Sequence, residues 1–268
     1  MPVLKVGYIG IGKIGSLIAE NVLNAGFPLA VFDVQQDATK SLVEKGATGA
    51  TSPRELASFA DVIALSVKDD DQVRDVVLGE NGVLAGARSG SVIVVHSTVE
   101  PETAVSLERE CAKSGVMVID APLSGGPEGA IARSLLFMVG GEAQALELAR
   151  PVLAASGSTI VHMGPAGSGS MTRIVHHVML GLNRFSADEG MKLAIALGLD
   201  VAKVCQAVQA GEAQSHVIDR YQEKYRDMPT GGQCRVADIA IGLANSRGVS
   251  LLGPALFRQL YMNKSTSK

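Results

Sequence analysis

Apolar runs and helical patterns alternate along the first part of the chain. The runs are Lys5–Gly10, Leu29–Asp33, Val62–Ser66, Ser91–His96, Val116–Asp120, Ser134–Gly140 and Thr159–His162. Each is short, rich in β-branched or other apolar residues, and bounded by Gly, Asp or Ser. That pattern describes a strand covered on both faces. Between the runs, Ile14–Ala25, Ala38–Glu44, Pro53–Ala57, Asp70–Leu78, Glu102–Ser114 and Glu142–Ala154 pattern as helices. Strand and helix in alternation predict a doubly wound parallel sheet with right-handed crossovers.

Beyond about residue 163 the strand pattern stops. Ser168–Ala196 is one long helical pattern without proline, ended by Gly198-Leu199-Asp200, which also caps the next helix. Val201–Ala210, Ser215–Tyr225, Cys234–Ser246 and Leu256–Tyr261 are further helical segments, and the polar tail from Asn263 is expected to fray. The expected class is α/β, with a sheet domain over residues 1–163 and an all-α domain over 164–268.

Chemistry first enters at Val6-Gly7-Tyr8-Ile9-Gly10-Ile11-Gly12-Lys13-Ile14-Gly15. Gly10-x-Gly12-x-x-Gly15 is a weak motif alone, but here it leaves a strand and opens a helix. Gly10 permits a tight turn, Gly12 lets the backbone approach a pyrophosphate, and Gly15 lets helix and strand pack closely. The helix N-terminus, with Ile11, Lys13 and Ile14 in the loop, faces the anion. The first domain is therefore read as a Rossmann-type dinucleotide-binding fold. The second run ends at Asp33, about 20 residues on, where a carboxylate accepts hydrogen bonds from a ribose 2′-hydroxyl and repels a 2′-phosphate. No arginine follows in Val34-Gln35-Gln36-Asp37. NAD is the preferred cofactor on this ground, with NADP the alternative. Val67, just past the third run, is a further cofactor-binding candidate.

Composition narrows the class. The formal net charge of −3 argues against a nucleic-acid or polybasic membrane surface. No stretch is long and apolar enough to span a membrane. Three cysteines without paired spacing predict a reducing compartment, no disulfide frame and no metal site. With the first strand beginning near Val3, the expectation is a cytoplasmic protein.

Asp120-Ala121-Pro122-Leu123-Ser124-Gly125-Gly126-Pro127-Glu128-Gly129-Ala130 resembles the substrate-binding signature of the β-hydroxyacid dehydrogenases. Ser97-Thr98 with Pro101 resembles that family's loop beside the nicotinamide, and Gly248–Leu256 resembles its last helix. The resemblance covers nearly the whole chain. It implies hydride transfer between a nicotinamide cofactor and a small β-hydroxy acid or semialdehyde. Ser97 and Thr98 would then contact cofactor, and Ser124, Gly125 and Gly126 would bind substrate. The residues agree: bare N–H groups and a hydroxyl at a strand's carboxyl end suit a substrate carboxylate.

The departures lie in the catalytic helix. Where the family has a lysine followed by two asparagines, this chain has Arg173, His176 and His177. The family lysine holds the substrate oxygen and passes a proton. Arginine is a poor acid–base group, yet it can stabilise a developing alkoxide. His177, four residues on, shares a helical face with Arg173 and has an unperturbed pKa near 6.5. Two readings stand: His177 moves the proton, or Arg173 is a clamp and the histidines only replace asparagines. Counting back from Gly248 puts a second family lysine at Arg235, a substrate-binding candidate, whereas counting from Asp238 would put Ala237 there. His96, just before Ser97, is either a site group or a strand-end residue. Arg133-Ser134 replaces the family's Gly-Thr after the substrate loop. A stripe of Ile174, Val178, Gly181 and Phe185 on the long helix predicts a homodimer. The alternatives to a hydroxy-acid dehydrogenase are an imine reductase-like or other carbonyl reductase, or a nucleotide-binding homologue with little turnover.

Overall fold

A computed structural model describes residues 3–226 and 231–265; the side chains of 231–235 and 260–265 lie outside the description. The chain forms two compact units, Met1–Arg173 and Ile174–Lys268.

The first unit runs β1 (Val6–Ile9), α1 (Gly15–Asn24), β2 (Leu29–Phe32), α2 (Lys40–Glu44), β3 (Thr48–Gly49), α3 (Pro53–Phe59) and β4 (Val62–Leu65). It continues through α4 (Asp70–Leu78), β5 (Val92–Val95), α5 (Pro101–Ala112), β6 (Met117–Asp120), β7 (Leu123–Ser124) and α6 (Gly126–Ile131). Then come β8 (Leu135–Gly141), α7 (Ala143–Ala154), β9 (Gly157–Gly164) and the start of α8 (Ser168–Ala196). The strands form one sheet in the order β3-β2-β1-β4-β5-β6-β8-β7, with β9 on β8. The order reverses outward from β1, so the strands' carboxyl ends open a crevice between β1 and β4, where this architecture binds ligands.

The apolar runs become strands because both sheet faces are covered. Val92 and Val94 enter one core cluster with Val6, Tyr8 and Phe137. Ile93 and Val95 enter the other with Ile9, Ile63 and Leu65. Each such side chain contributes about 1.5–3 kcal/mol when buried, so slipping a strand by one residue would repack both faces.

The sheet is not wholly parallel, as the alternation had suggested. β8 pairs antiparallel with both β6 and β7. A parallel return needs a crossover long enough to span the sheet face. Only the six-residue α6 is available between β6 and β8, so the chain folds back. The twelve-residue α7 does make the crossover, and β9 is parallel to β8.

The second unit holds the remainder of α8, then α9 (Val201–Gln209), α10 (His216–Asp219), a π turn (Tyr221–Tyr225), α11 (Gly231–Ser246) and α12 (Leu252–Ser265). Asp200 caps α9 by accepting from Ala202 N at 2.8 Å. The expected helix over Ser215–Tyr225 breaks at Arg220, whose φ of −121° leaves helical space. A small core of Ala187, Met191, Cys205, Val217, Ile218, Tyr221 and Tyr225 holds the unit. Within it the buried Arg184 donates to the Tyr225 carbonyl at 3.1 Å. The stripe taken from the sequence is mostly inside this unit. Ile174 is buried, and Gly181 lies in packing range of the Phe257 ring. The exposed row on α8 is the adjacent one: Met171, Val175 and Met179.

Candidate active site

The glycine loop follows β1. Gly10 takes φ +88°, and a Cβ there would lie 2.5 Å from the Ser66 carbonyl oxygen. At Gly15 a Cβ would lie 1.9 Å from the Gly10 carbonyl oxygen. These two glycines are closed off by the protein itself. Gly12 differs: nothing stands within 4 Å of where its Cβ would be. It faces open space at the start of α1, with Lys13 exposed and Ile14 half-exposed beside it. The three glycines thus divide as the motif requires, two for the fold and one for an approaching group. A pyrophosphate fits at the open one.

Asp33 stands just past β2. Its Oδ2 accepts from Ile11 N at 2.7 Å and its Oδ1 from Gln35 N at 2.8 Å. It shapes the glycine loop, and each oxygen keeps a further lone pair. The turn beyond carries Val34, 85% exposed, and Asp37 paired with Lys40 at 2.7 Å.

Two more loops leave the carboxyl ends of β4 and β5, and two side chains lock them together. The Ser97 hydroxyl accepts from Val67 N at 2.9 Å and donates to the Val67 carbonyl at 2.8 Å. Asp70 accepts from Glu100 N at 2.9 Å and from the Thr103 hydroxyl at 2.7 Å. Ser97 is therefore a brace between the two walls, and Thr98 is the half-exposed member of the pair.

The substrate loop begins where β7 ends. Ser124 is half-buried; Gly125 and Gly126 take φ +125° and +62°, and Gly126 has open space where a Cβ would stand. Successive backbone N–H groups in such a turn form a concavity that suits an anion. Asn21 on α1 ties this loop to the cofactor helix by donating to the Ala130 carbonyl at 2.8 Å. Arg133, past α6, holds φ +53°, a left-handed conformation that favours glycine.

Sequence reasoning left His96 open between two roles. It is buried, with Nδ1 2.8 Å from the Ala121 carbonyl, so Nδ1 carries the proton and donates. Its ring lies between Tyr8 and Phe137, 6.2 and 5.2 Å away by ring centres. Burial pushes its pKa down to about 4, so it is neutral at pH 7. It fastens the strand that feeds the substrate loop. Neither the Asn21 tether nor this role carried a motif.

Arg173 lies on α8 at the end of the first unit. Burial pushes its guanidinium down to about 10, which leaves it cationic at neutral pH. His177 lies on the same helix, in the second unit. There it lines a narrow apolar crevice with Val178, Leu182, Val236 and Phe257. His176 meets the His177 ring edge-on at 6.2 Å. The Arg235 side chain lies outside the described residues, on α11. Among the described residues no group of His, Cys, Asp or Glu is arranged to hold a metal ion, and no helix is long and apolar enough to cross a membrane.

An open glycine at a helix N-terminus, at the reversal point of a mainly parallel sheet, defines a dinucleotide-binding protein of Rossmann architecture. Comparison with known proteins agrees. Residues 5–164 match the NAD binding domain of 6-phosphogluconate dehydrogenase, and residues 167–267 match the family described as NAD-binding of NADP-dependent 3-hydroxyisobutyrate dehydrogenase. The 3-hydroxyisobutyrate dehydrogenase of Pseudomonas aeruginosa is 33% identical over 269 residues, covering 96% of this chain and 90% of that one. The NAD-dependent L-serine dehydrogenase of the same organism is 34% identical over 217 residues, covering 81% and 73%. The fold matches that of Mycobacterium tuberculosis 3-hydroxyisobutyrate dehydrogenase, solved with L-serine, at a TM-score of 0.88, with 24% identity and coverage of 99% and 94%. The chain belongs to the β-hydroxyacid dehydrogenase family, and it is an NAD(P)-dependent enzyme of that family.

Proposed function

We propose that the enzyme oxidises a small β-hydroxy acid to the semialdehyde, or reduces the semialdehyde back, using NAD in preference to NADP. The observation that carries this is the pair of open backbone positions, Gly12 for the dinucleotide and Gly126 for the substrate carboxylate. They lie on segments joined by the Asn21–Ala130 hydrogen bond. A relative named for L-serine and one named for 3-hydroxyisobutyrate share one chemistry, a carboxylate with a hydroxymethyl group on its α-carbon. Asp33 and the arginine-free turn after it favour the unphosphorylated cofactor.

The bound nicotinamide supplies the hydride acceptor or donor. The chain's own residues do the rest. Ser124 with the Gly125 and Gly126 N–H groups orients the carboxylate. Arg173, cationic at working pH, donates to the substrate oxygen as it gains alkoxide character. It cannot take the proton, so His177 or water moves it. The assembly is a homodimer built on the exposed Met171–Val175–Met179 row of α8. The buried thiols Cys111 and Cys205 fit a reducing cytoplasm.

The test is a scan of 3-hydroxyisobutyrate and L-serine with NAD and NADP, beside a panel of cyclic imines with the reduced cofactors. Turnover of the hydroxy acids with NAD is expected; turnover of imines alone would replace this reading with the imine-reductase one. Arg173→Ala is expected to lower kcat by roughly 10²–10³, with cofactor affinity little changed. Arg173→Lys should support activity and shift the pH profile, since a buried lysine releases its proton far more readily. Full turnover by Arg173→Ala would sink the assignment.

A further inference from the structure

We infer that Asp120 is the positioning residue for Arg173: its buried carboxylate fixes the first turn of α8 and so aims the guanidinium at the substrate oxygen. The inference rests on the reading of Arg173 given above.

The residue before α8 is Gly167, which has no side chain. A helix normally has its first free N–H groups met by a Ser, Thr, Asp or Asn at that position. Here the oxygens come from another part of the fold. Asp120, the last residue of β6, accepts from Gly167 N through Oδ1 at 2.8 Å and from Ser170 N through Oδ2 at 2.6 Å. The carboxylate is wholly buried. A negative group at a helix N-terminus also meets the favourable end of the helix dipole. The two oxygens are thus divided between the residue ahead of α8 and its first turn, which fixes that turn in rotation as well as position.

The surroundings are shaped to allow this. A Cβ at Gly140, paired with Asp120 across β6 and β8, would lie 2.4 Å from Asp120 Oδ1. At Gly169 a Cβ would lie 2.4 Å from the Met138 carbonyl oxygen and 2.6 Å from that of Asp120. Both positions need glycine for the helix to seat against the strand ends. Gly167 itself takes φ +87°. Three glycines and one carboxylate therefore set where α8 starts, and Arg173 follows three residues after Ser170.

Asp120 also opens the segment that carries Ser124. Ala121 is held on both sides, its N–H by the Val95 carbonyl at 2.8 Å and its carbonyl by His96. One strand end thereby sets both the substrate loop and the first turn of the catalytic helix, within the first unit. A misplacement near 1 Å in such an arrangement costs on the order of 10² in rate.

The test is a double-mutant cycle with Asp120→Asn and Arg173→Ala on the full-length protein, read as kcat, substrate KM and cofactor affinity. Asn keeps the shape but turns an N–H₂ group toward one of the two donors. The expected result is a kcat about 10- to 100-fold lower for Asp120→Asn, unchanged cofactor affinity, and a double variant no slower than Arg173→Ala alone. A simple structural role would lower thermal stability and multiply with the Arg173 loss; that outcome overturns the coupling and leaves the Arg173 reading intact. Full turnover by Arg173→Ala overturns both. Should Asp120→Asn fail to fold, hydrogen exchange of the wild-type amides decides. Protection of Gly167 and Ser170 equal to that of β6 supports the inference, and exchange within seconds ends it.

Discussion

The two units of this chain differ in how they bury apolar surface. In the first, the central strands β1, β4 and β5 are buried along their whole length, and two core clusters cover the two sheet faces. In the second, one seven-residue cluster serves several helices. Large apolar side chains are exposed in both units, Val34, Ile131 and Val161 in the first, but more densely in the shorter second: Val175, Met179, Leu193, Leu197 and Leu252 among them. A two-faced sheet satisfies its apolar residues internally. A layer of helices has an outer side that needs a further layer or a partner. The difference explains why the ligand-shaping backbone lies in the first unit, where rigid strand ends can hold it. It also explains why the second unit is the one expected to find a second copy of itself.

The contrast between the units breaks most visibly if that second copy is denied. Val175→Glu with Met179→Glu would place like charges across a two-fold contact, at a cost of several kcal/mol. The expected outcome is a mass near the 27.8 kDa of one chain by light scattering, with loss of helical signal at a lower temperature and the sheet unit still folded. A wild type already monomeric at micromolar concentration would remove the dimer. The second unit would then be a stable helical layer on a thin core alone.

Much of this contrast was legible beforehand. The strands of the first unit were read to within about two residues because a doubly buried strand is an unbroken apolar run, and α4 and α8 were read at their observed ends. The reversal of β8 was not, because an apolar run carries no direction; direction depends on whether the connecting segment can cross the sheet. β3 and β7, two residues each, are too short for any periodicity to register. α6 reads as a glycine turn because Gly126-Pro127-Glu128-Gly129 is rich in turn residues, and it forms a helix only where Ala130 packs into the core. In the candidate site, the conformations of Gly10 and Gly15 were legible because they are backbone requirements tied to spacing. Asn21 was not, and the contacts that Ser97 and His96 make were not either, since each acts on a group 25 or more residues away. On α8 the stripe read from the sequence, Ile174, Val178, Gly181 and Phe185, is buried or half-buried, because helical spacing alone cannot say which of two neighbouring stripes the chain covers for itself.

A second test sharpens the contrast from the first unit's side. His96 has its pKa lowered from the ordinary 6.5 to about 4 by burial among Tyr8 and Phe137. The unfolded chain therefore binds a proton between these values that the folded chain does not. Stability is full above about pH 6.5 and falls as pH drops toward 4, by up to about 1.4 kcal/mol per pH unit from this group. Chemical denaturation from pH 7 to 4.5 should show the slope in the sheet unit, and His96→Asn should flatten it. An unchanged slope in that variant would mean other groups carry the acid sensitivity.

The smallest effect concerns the one residue of the first unit that departs from easy backbone geometry. Arg133, just past α6, is the positive-φ position without glycine among the described residues, at φ +53°. Its N–H is held by the Ala130 carbonyl at 3.1 Å and that of Ser134 by the Gly129 carbonyl at 2.8 Å, so the turn ends α6 as a left-handed cap. A non-glycine residue in that conformation costs about 1–2 kcal/mol. Glycine removes the strain but adds about 0.5–1 kcal/mol of chain entropy to the unfolded state. The net expectation for Arg133→Gly lies between no gain and about 1.5 kcal/mol, or at most roughly 3–6 °C in Tm. The side chain is exposed beside the substrate loop, so the same variant asks whether its charge serves the substrate. A raised Tm with unchanged substrate KM places Arg133 outside recognition. A raised Tm with a higher KM makes its guanidinium a cation for the carboxylate. A lower Tm would show that the arginine offsets its strained backbone with contacts of its own, and that the first unit is less self-sufficient than its buried strands suggest.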